Sequence, residues 1–583
     1  MSRRIGTLTT LLLLAVGVRP ATAASAKGDD NAWCGTNETR LSESLARHRQ
    51  NGRRLERSFA AARATGEWVP FAEPEVREEG GVALIKDQGT LVFPENPFDF
   101  AGQAVRIKYL KKLDAYKLIR QSAAIGTTLG DKLPLGDDDS VLIDLPGPMT
   151  FFGAKYDAVW VNSDGNLTFD LADNASTERD LGRARGGPPR IAPFFQDFDP
   201  TATTGNGGVY ARIKGKKLIV TWLEVPQWDV DDENTFQVEI ATNGQVKFRF
   251  GANLEGKNGI VGIFPGGASG LNLIDWSEDI GETFLGALAE NFIDSVTVDE
   301  AGLANVFFDH FADVYSHLIM FADFPFPLGG LTIAYEYSPK NQIRGIGQPL
   351  YDASRSYGSE GVLEAMVQMG DVNKYVDDLR DPQYINDVLS SLGILMHEIA
   401  HRWLLFVELE GNGLQPDALL GRGAAHWSFY AQSHSSFLEG SEIEDQGGGR
   451  FMTLRVPTSY NTQDLYLMGF AEPDEVDAND QPFYIEGVDA DADTRAPEPD
   501  VLILGARRDY SIDNIIAAEG PRVPSAADAP KKFRMAVVLL TRNGEEPSVA
   551  GLAKAQSFAE ELEKEFRRMT LRRGRLDTTL EPR

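Results

Sequence analysis

The chain has 583 residues, too many for one hydrophobic core, so two to four domains are expected. Its formal net charge of −29 argues against nucleic acid or anionic lipid as partners, because a field of that sign repels both. The single cysteine, Cys34, excludes an internal disulfide.

In chain order, the first residues read as an export signal. Arg3 and Arg4 precede an apolar run over 5–18, and Ala21-Thr22-Ala23 supplies the small-x-small pattern of a cleavage site, so residues 1–24 are expected to be removed. The run is too short for a membrane anchor, and no later segment has the apolar length to span. A secreted location follows, extracellular or periplasmic. The twin arginines also permit a Tat route, although the residues after them match it loosely.

Residues 25–118 open with a helical pattern (Leu41, Leu45, Leu55, Phe59) interrupted at Gly52, then give strand-like pieces at 82–85 and 105–109. This region reads as a pro-segment or a small packing domain. A lone thiol such as Cys34 is usually incidental. The sharper alternative is a thiolate that fills an open zinc position and holds an enzyme latent.

Residues 119–294 change to a period of two. Phe236, Val238 and Ile240 alternate with polar residues, Asn243-Gly244 marks a turn, and Val246, Phe248 and Phe250 alternate again. Asn-Gly between alternating runs predicts a hairpin, since both residues tolerate the positive φ of a type I′ turn. Residues 158–161 and 167–169 flank Ser163-Asp164-Gly165-Asn166 in the same way, and 218–222 and 260–264 add apolar strands. An all-β sandwich is expected. The acidic blocks 137–139 and 229–232 read as solvated loops, with Ca2+ as an unsupported alternative; 489–493 lacks the glycine and glutamate of an EF-hand.

Five blocks of this region resemble, in order, the nidogen-type extracellular domain: YDAVWVNSDGNLTFD (156–170), RIAPFFQDFDP (190–200), GGVYARI (207–213), LIVTWLEVPQ (218–227) and NTFQVEI (234–240). The resemblance implies an extracellular β domain with a cell-surface or matrix ligand, used in adhesion or display, and implies no catalysis.

Residues 295–583 give a mixed pattern, expected to form an α+β domain. Helices are predicted at 303–315, 363–367 and 388–406, and strands at 317–321, 331–335, 451–456 and 535–540. Leu552, Ala555, Phe558, Leu562, Phe566 and Met569 predict a last amphipathic helix.

The chemistry is concentrated in SSLGILMHEIAHRW (390–403). On a helix, His397 and His401 lie on one face one turn apart, a spacing that lets two imidazoles reach one zinc ion. Glu398 is placed to take a proton from a water activated by that zinc and pass it to a leaving amine. The competing reading is a core helix with hydrogen-bonded histidines. Catalytic zinc takes a third protein ligand, and His426, His434, Glu439 and Asp445 are candidates. His426 is preferred because it opens a short apolar strand-like piece. Tyr460 and Tyr466 are candidates for oxyanion stabilisation. Met468 would sit beneath the zinc or in the core. His310 and His317 read as structural, and His48 receives no role.

The HExxH block resembles the zincin metallopeptidases, and Arg402-Trp403 resembles their aminopeptidase-like branch. That branch's later Asn-Glu pair is missing from 419–424, and the metzincin continuation is missing after His401. HWSF (426–429) and DLYLMG (464–469) are similar to blocks of an uncharacterised group of exported bacterial proteins. The resemblance implies a secreted zinc endopeptidase acting on extracellular proteins or peptides. His397, His401 and His426 would hold one catalytic Zn2+, with Glu398 as general base. Two alternatives stand beside it. One is an adhesion or display protein with a structural or inactive zinc site; the other is a hydrolase that trims amino termini or cuts another bond.

Overall fold

The computed structural model describes residues 34–36, 40–65, 73–122, 124–175, 179, 181–267, 271–328, 332–384, 389–411, 413–455, 459–480, 482–488 and 497–583. The expected signal segment 1–24 and the acidic run 489–493 lie outside them.

Apolar runs without alternation (VALIK, HLIMFA, AMVQMG, KFRMAVVLLT) suit strands buried on both faces. They form the centre of a mixed sheet. Its order is Glu75–Glu79, Val82–Lys86, Lys532–Thr541, His317–Ala322, Ala365–Asp371, Tyr335–Tyr337, with Arg575–Asp577 beside Lys532–Thr541. The four central strands are parallel. Alternate residues of one strand enter different cores. Leu318 and Met320 pack with Leu303, Phe307 and Phe308 of the helix Glu300–His310. Ile319 and Phe321 pack with Leu392 and Ile399 of the helix Ser391–Ala400, and with Phe558 and Phe566 of the helix Val549–Met569. At one edge Tyr335–Tyr337 runs antiparallel to its neighbour and lies against the helix Ser391–Ala400.

The alternating region folds as two facing antiparallel-rich sheets. One runs Leu271–Leu273, Ala287–Phe292, Gly259–Phe264, Arg190–Phe195, Asn166–Thr168, Ala154–Asn162, Ser140–Phe151. The other runs Thr283–Leu285, Ala115–Arg120, Ala104–Leu110, Val246–Phe250, Asn234–Ala241, Lys217–Val225, Gly208–Ile213, Asp131–Lys132. In the Asn-Gly hairpin Phe236 pairs Phe250, Val238 pairs Phe248 and Ile240 pairs Val246, so all six face one core. At the second turn Gly165 has a φ of 67°, and a Cβ there would lie 2.0 Å from the Phe194 carbonyl, so only glycine fits.

Several expectations are corrected. A boundary at 118/119 would cut the strand Ala115–Arg120, which, with Ala104–Leu110, belongs to the sandwich. Val82–Lys86 is an interior strand of the mixed sheet, so 25–118 is not one unit, and the last domain is not confined to 295–583. The sandwich is an insertion: the chain leaves and re-enters through the paired strands Val92–Phe93 and Thr297–Val298 and the bridge Asn96–Ile293. The N-terminal helix Arg40–Thr65 continues through Gly52, an exposed position where the cost of glycine is only about 1 kcal/mol. Residues 363–367, too short for periodicity to separate helix from strand, enter the strand Ala365–Asp371. The helix expected over 388–406 is Ser391–Ala400.

Candidate metal centre

The helix Ser391–Ala400 starts where the Ser390 hydroxyl accepts from the Gly393 N–H at 3.1 Å, and every residue in it is buried. His397 and the C-cap residue His401 project from one face, their Nε2 atoms 3.0 Å apart. A short 3-10 turn, Arg422–Ala424, delivers His426, whose Nε2 lies 3.2 Å from that of His397. Each ring donates its Nδ1–H to a backbone carbonyl: His397 to Phe437 at 2.6 Å, His401 to Leu404 at 3.0 Å and His426 to Arg422 at 2.7 Å. A carbonyl can only accept, so the three Nε2 atoms carry lone pairs. Burial pushes all three pKa values down, that of His401 to about 3, so the rings stay neutral.

Arg422 Nη2 stands 3.4 Å from the His426 Nε2, and converging buried lone pairs repel unless a cation lies among them. The spacing fits one. Tetrahedral ligands at 2.0–2.1 Å from zinc are about 3.3 Å apart, close to the distances between these nitrogens. The Cys34 Sγ completes the group, 3.4 Å from His401 Nε2, and the four donor atoms all lie within 4.8 Å of one another. The carbonyl bonds behind the histidines fix ring orientation, as outer partners of metal-binding imidazoles do.

Glu398 is fully buried beside these donors. Its Oε2 accepts from Thr36 Oγ1 at 3.1 Å and from Cys34 Sγ at 3.4 Å. Among the described residues its Oε1 has no hydrogen-bond partner. Burial raises its carboxyl to about 8.

Of the four candidates for a third donor, the structure brings His426 to the pair. Glu439 is engaged by the Arg422 guanidinium, Nε to Oε2 at 3.1 Å, although its Oε1 is 3.5 Å from His426 Nε2. Asp445 lies in the exposed strand Glu442–Gly447, 3.5 Å from Arg507, and neither it nor His434 joins the cluster. The Tyr460 hydroxyl donates to the Met396 carbonyl at 2.6 Å, and that of Tyr466 accepts from the Arg522 N–H at 3.2 Å; both phenols are held by the scaffold. Met468 is a core residue. His317 is buried in a strand, His310 donates to its own helix, and His48 pairs with Asp299 at 2.9 Å.

Arg422 was missed from the sequence. It orients His426 through its carbonyl and donates from Nη1 to the Cys34 carbonyl at 3.0 Å. A cation four residues before a candidate ligand was the available signal. The two later sequence blocks meet behind the site: Trp427 Nε1 donates to Asp464 Oδ1 at 3.1 Å, and Asp464 closes the capping box of the helix Thr462–Met468 with its N-cap Asn461. Gly393 allows Phe437 to approach, since a Cβ there would stand 2.9 Å from that ring. Elsewhere, Asp137, Asp138 and Asp197 gather in the sandwich, but Arg179 already lies between Asp138 and Asp197 and supplies the positive charge.

Residues 114–278 match a protein-family model described as NIDO related, which supports a nidogen-like domain within the sandwich and suggests an extracellular protein. No curated protein and no solved structure matches the chain. Among the described residues, no helix is long and apolar enough to cross a membrane.

Proposed function

We propose that the chain is a secreted zinc-dependent peptidase that hydrolyses extracellular proteins or peptides, its mixed sheet and following helices forming an α+β zincin-like catalytic domain. The observation that carries this reading is the convergence of three neutral imidazole nitrogens, His397 Nε2 at 3.0 Å from that of His401 and 3.2 Å from that of His426, beside a buried carboxyl with one oxygen unpartnered among the described residues. His397, His401 and His426 would hold the ion, with Phe437, Leu404 and Arg422 carbonyls orienting the rings. Zinc held there would supply Lewis acidity towards a scissile carbonyl and make a bound water more acidic. A divalent ion held there would oppose the upward push of burial on Glu398 and favour its basic form. Glu398 then takes the proton of the attacking water and delivers it to the leaving amine. The nearby sheet edge Tyr335–Tyr337, along which Cys34–Thr36 lies, would offer backbone groups to an extended substrate once that segment moves away.

A second reading has one observation in its favour. Four protein donors close a zinc site, and closed sites are structural. An adhesion protein, with the nidogen-like sandwich as its working part, would then need no catalysis. A structural ion, however, has no use for a buried carboxylate left half unpartnered. Metal analysis with Glu398→Gln separates the readings: one zinc per chain should persist while cleavage of casein falls by about 100- to 10,000-fold. Unchanged cleavage, or none by any form of the protein, removes the peptidase. Cleavage of amino-acid amides with casein spared would move the assignment to an aminopeptidase.

A further inference from the structure

We propose that Cys34 is the fourth ligand of the metal centre, and that the segment carrying it keeps the peptidase latent by filling the position a substrate must enter. The regulatory half rests on the peptidase reading; the sulfur ligation does not.

Geometry carries the first half. With zinc–sulfur near 2.3 Å and zinc–nitrogen near 2.05 Å, a tetrahedral S···N edge is about 3.5 Å. Cys34 Sγ stands 3.4 Å from His401 Nε2, in a group of four donors. On ligation the S–H bond gives way to a sulfur–metal bond and the proton leaves to solvent. Displacement reverses this, with water taking the sulfur's place. A second observation separates the cysteine from an ordinary structural ligand: the same segment also occupies the base. Thr36 Oγ1 donates to Glu398 Oε2 at 3.1 Å, whereas Glu398 Oε1, fully buried, has no partner among the described residues.

The backbone carries the second half. Cys34 forms a parallel bridge with Ala334, and the Gly35 N–H donates to the Ala334 carbonyl at 2.9 Å. The Glu336 N–H donates to Thr36 Oγ1 at 2.8 Å. The chain's own backbone therefore lies along the sheet edge where an extended peptide would add, and its side chain reaches the donors. The following helix packs Leu41 and Leu45 against the core around Phe307 and Ala46 against the sandwich, and adds polar contacts from Ser44 to Tyr337 at 3.1 Å and from His48 to Asp299 at 2.9 Å. Among the described residues the sheet takes its first strand from Glu75–Glu79, so the segment before it contributes no strand to the sheet.

The test uses the full chain with cobalt in place of zinc. Wild type should show a sulfur-to-cobalt charge-transfer band, and its thiol should resist a thiol reagent until the metal is chelated. Cys34→Ala should keep one metal per chain, lose the band, and cleave casein at least about tenfold faster than wild type. Cys34→Ser, closer in size, gives the same comparison if the alanine variant folds poorly. Absence of the band in wild type, or a thiol equally reactive with metal bound, overturns the ligation. A band in wild type with cleavage no faster in either variant overturns the latency. A band with no cleavage by any variant leaves the ligation standing and removes the peptidase reading instead.

Discussion

A buried cluster of ionisable groups in the sandwich and another under the mixed sheet are compensated in opposite ways. In the sandwich, Asp164 accepts from Arg179 at 2.8 Å and lies 3.2 Å from Arg183, while Asp173 lies 3.1 Å from Arg183 and contacts Arg190. Burial raises Asp164 to about 6 despite its arginines; Asp173 is pushed up by burial too, but Arg190 and Arg183 hold it below the ordinary value. Every charge there has a counter-charge from the same chain. Under the mixed sheet, three imidazole Nε2 atoms converge beside Glu398, and the nearest guanidinium, Arg422, pairs with Glu439 and stands 3.4 Å from His426 Nε2. A buried cluster that balances itself is part of the fold. Converging imidazole nitrogens are the donor set that the proposed metal would use.

The largest effect that would break this contrast is expected at the metal centre. His426→Ala should lower zinc affinity by more than about 100-fold, while Glu439→Ala, which only frees Arg422, should cost about 10- to 100-fold. Metal titration of both variants checks the order. If Glu439→Ala is the more damaging, the third donor has been misassigned. In the sandwich the expected loss is of stability alone. Asp173→Ala leaves Arg190 buried without its main counter-charge and should cost about 3–5 kcal/mol in denaturant unfolding, with zinc content unchanged. A drop in zinc content would mean that the two clusters are coupled through the fold.

Sequence exposed these clusters unequally. His397, Glu398 and His401 fall within one helical turn and a residue, so local spacing sufficed. His426 needed the chain to fold back, yet it was the next histidine after the helix and the preferred candidate. Cys34 lies 364 residues from Glu398, and no periodicity links them. Only the affinity of thiolates for zinc pointed there. The fold divides in the same way. The Asn243-Gly244 hairpin is a local device and was legible, whereas Val82–Lys86 looked like a strand but gave no sign that its partner would be Lys532–Thr541. The insertion of the sandwich follows from that pairing and was hidden with it. Arg179, Arg183 and Arg190 were equally invisible as partners, because charge complementarity acts between residues that meet only after the two sheets have packed.

The comparison can be sharpened at one carboxyl that neither arginines nor metal compensate. Glu290 is buried in the sandwich, accepting from Asn96 Nδ2 at 3.0 Å and from the Trp276 N–H at 2.7 Å. Burial, with Asp275 adding to it, raises its pKa from 4.5 to about 8. The folded value exceeds the unfolded one, so the folded state binds the proton more tightly. Its contribution to stability is complete below about pH 4.5 and is lost as pH rises through about 8. Between those values the slope should approach about 1.4 kcal/mol per pH unit, the smallest of these effects when read over a single unit. Glu290→Gln keeps the side chain neutral and should lack that slope, so the difference between wild type and variant should carry it. Parallel pH profiles for the two proteins would show that the hydrogen bonds from Asn96 and Trp276 already hold the carboxylate in its charged form.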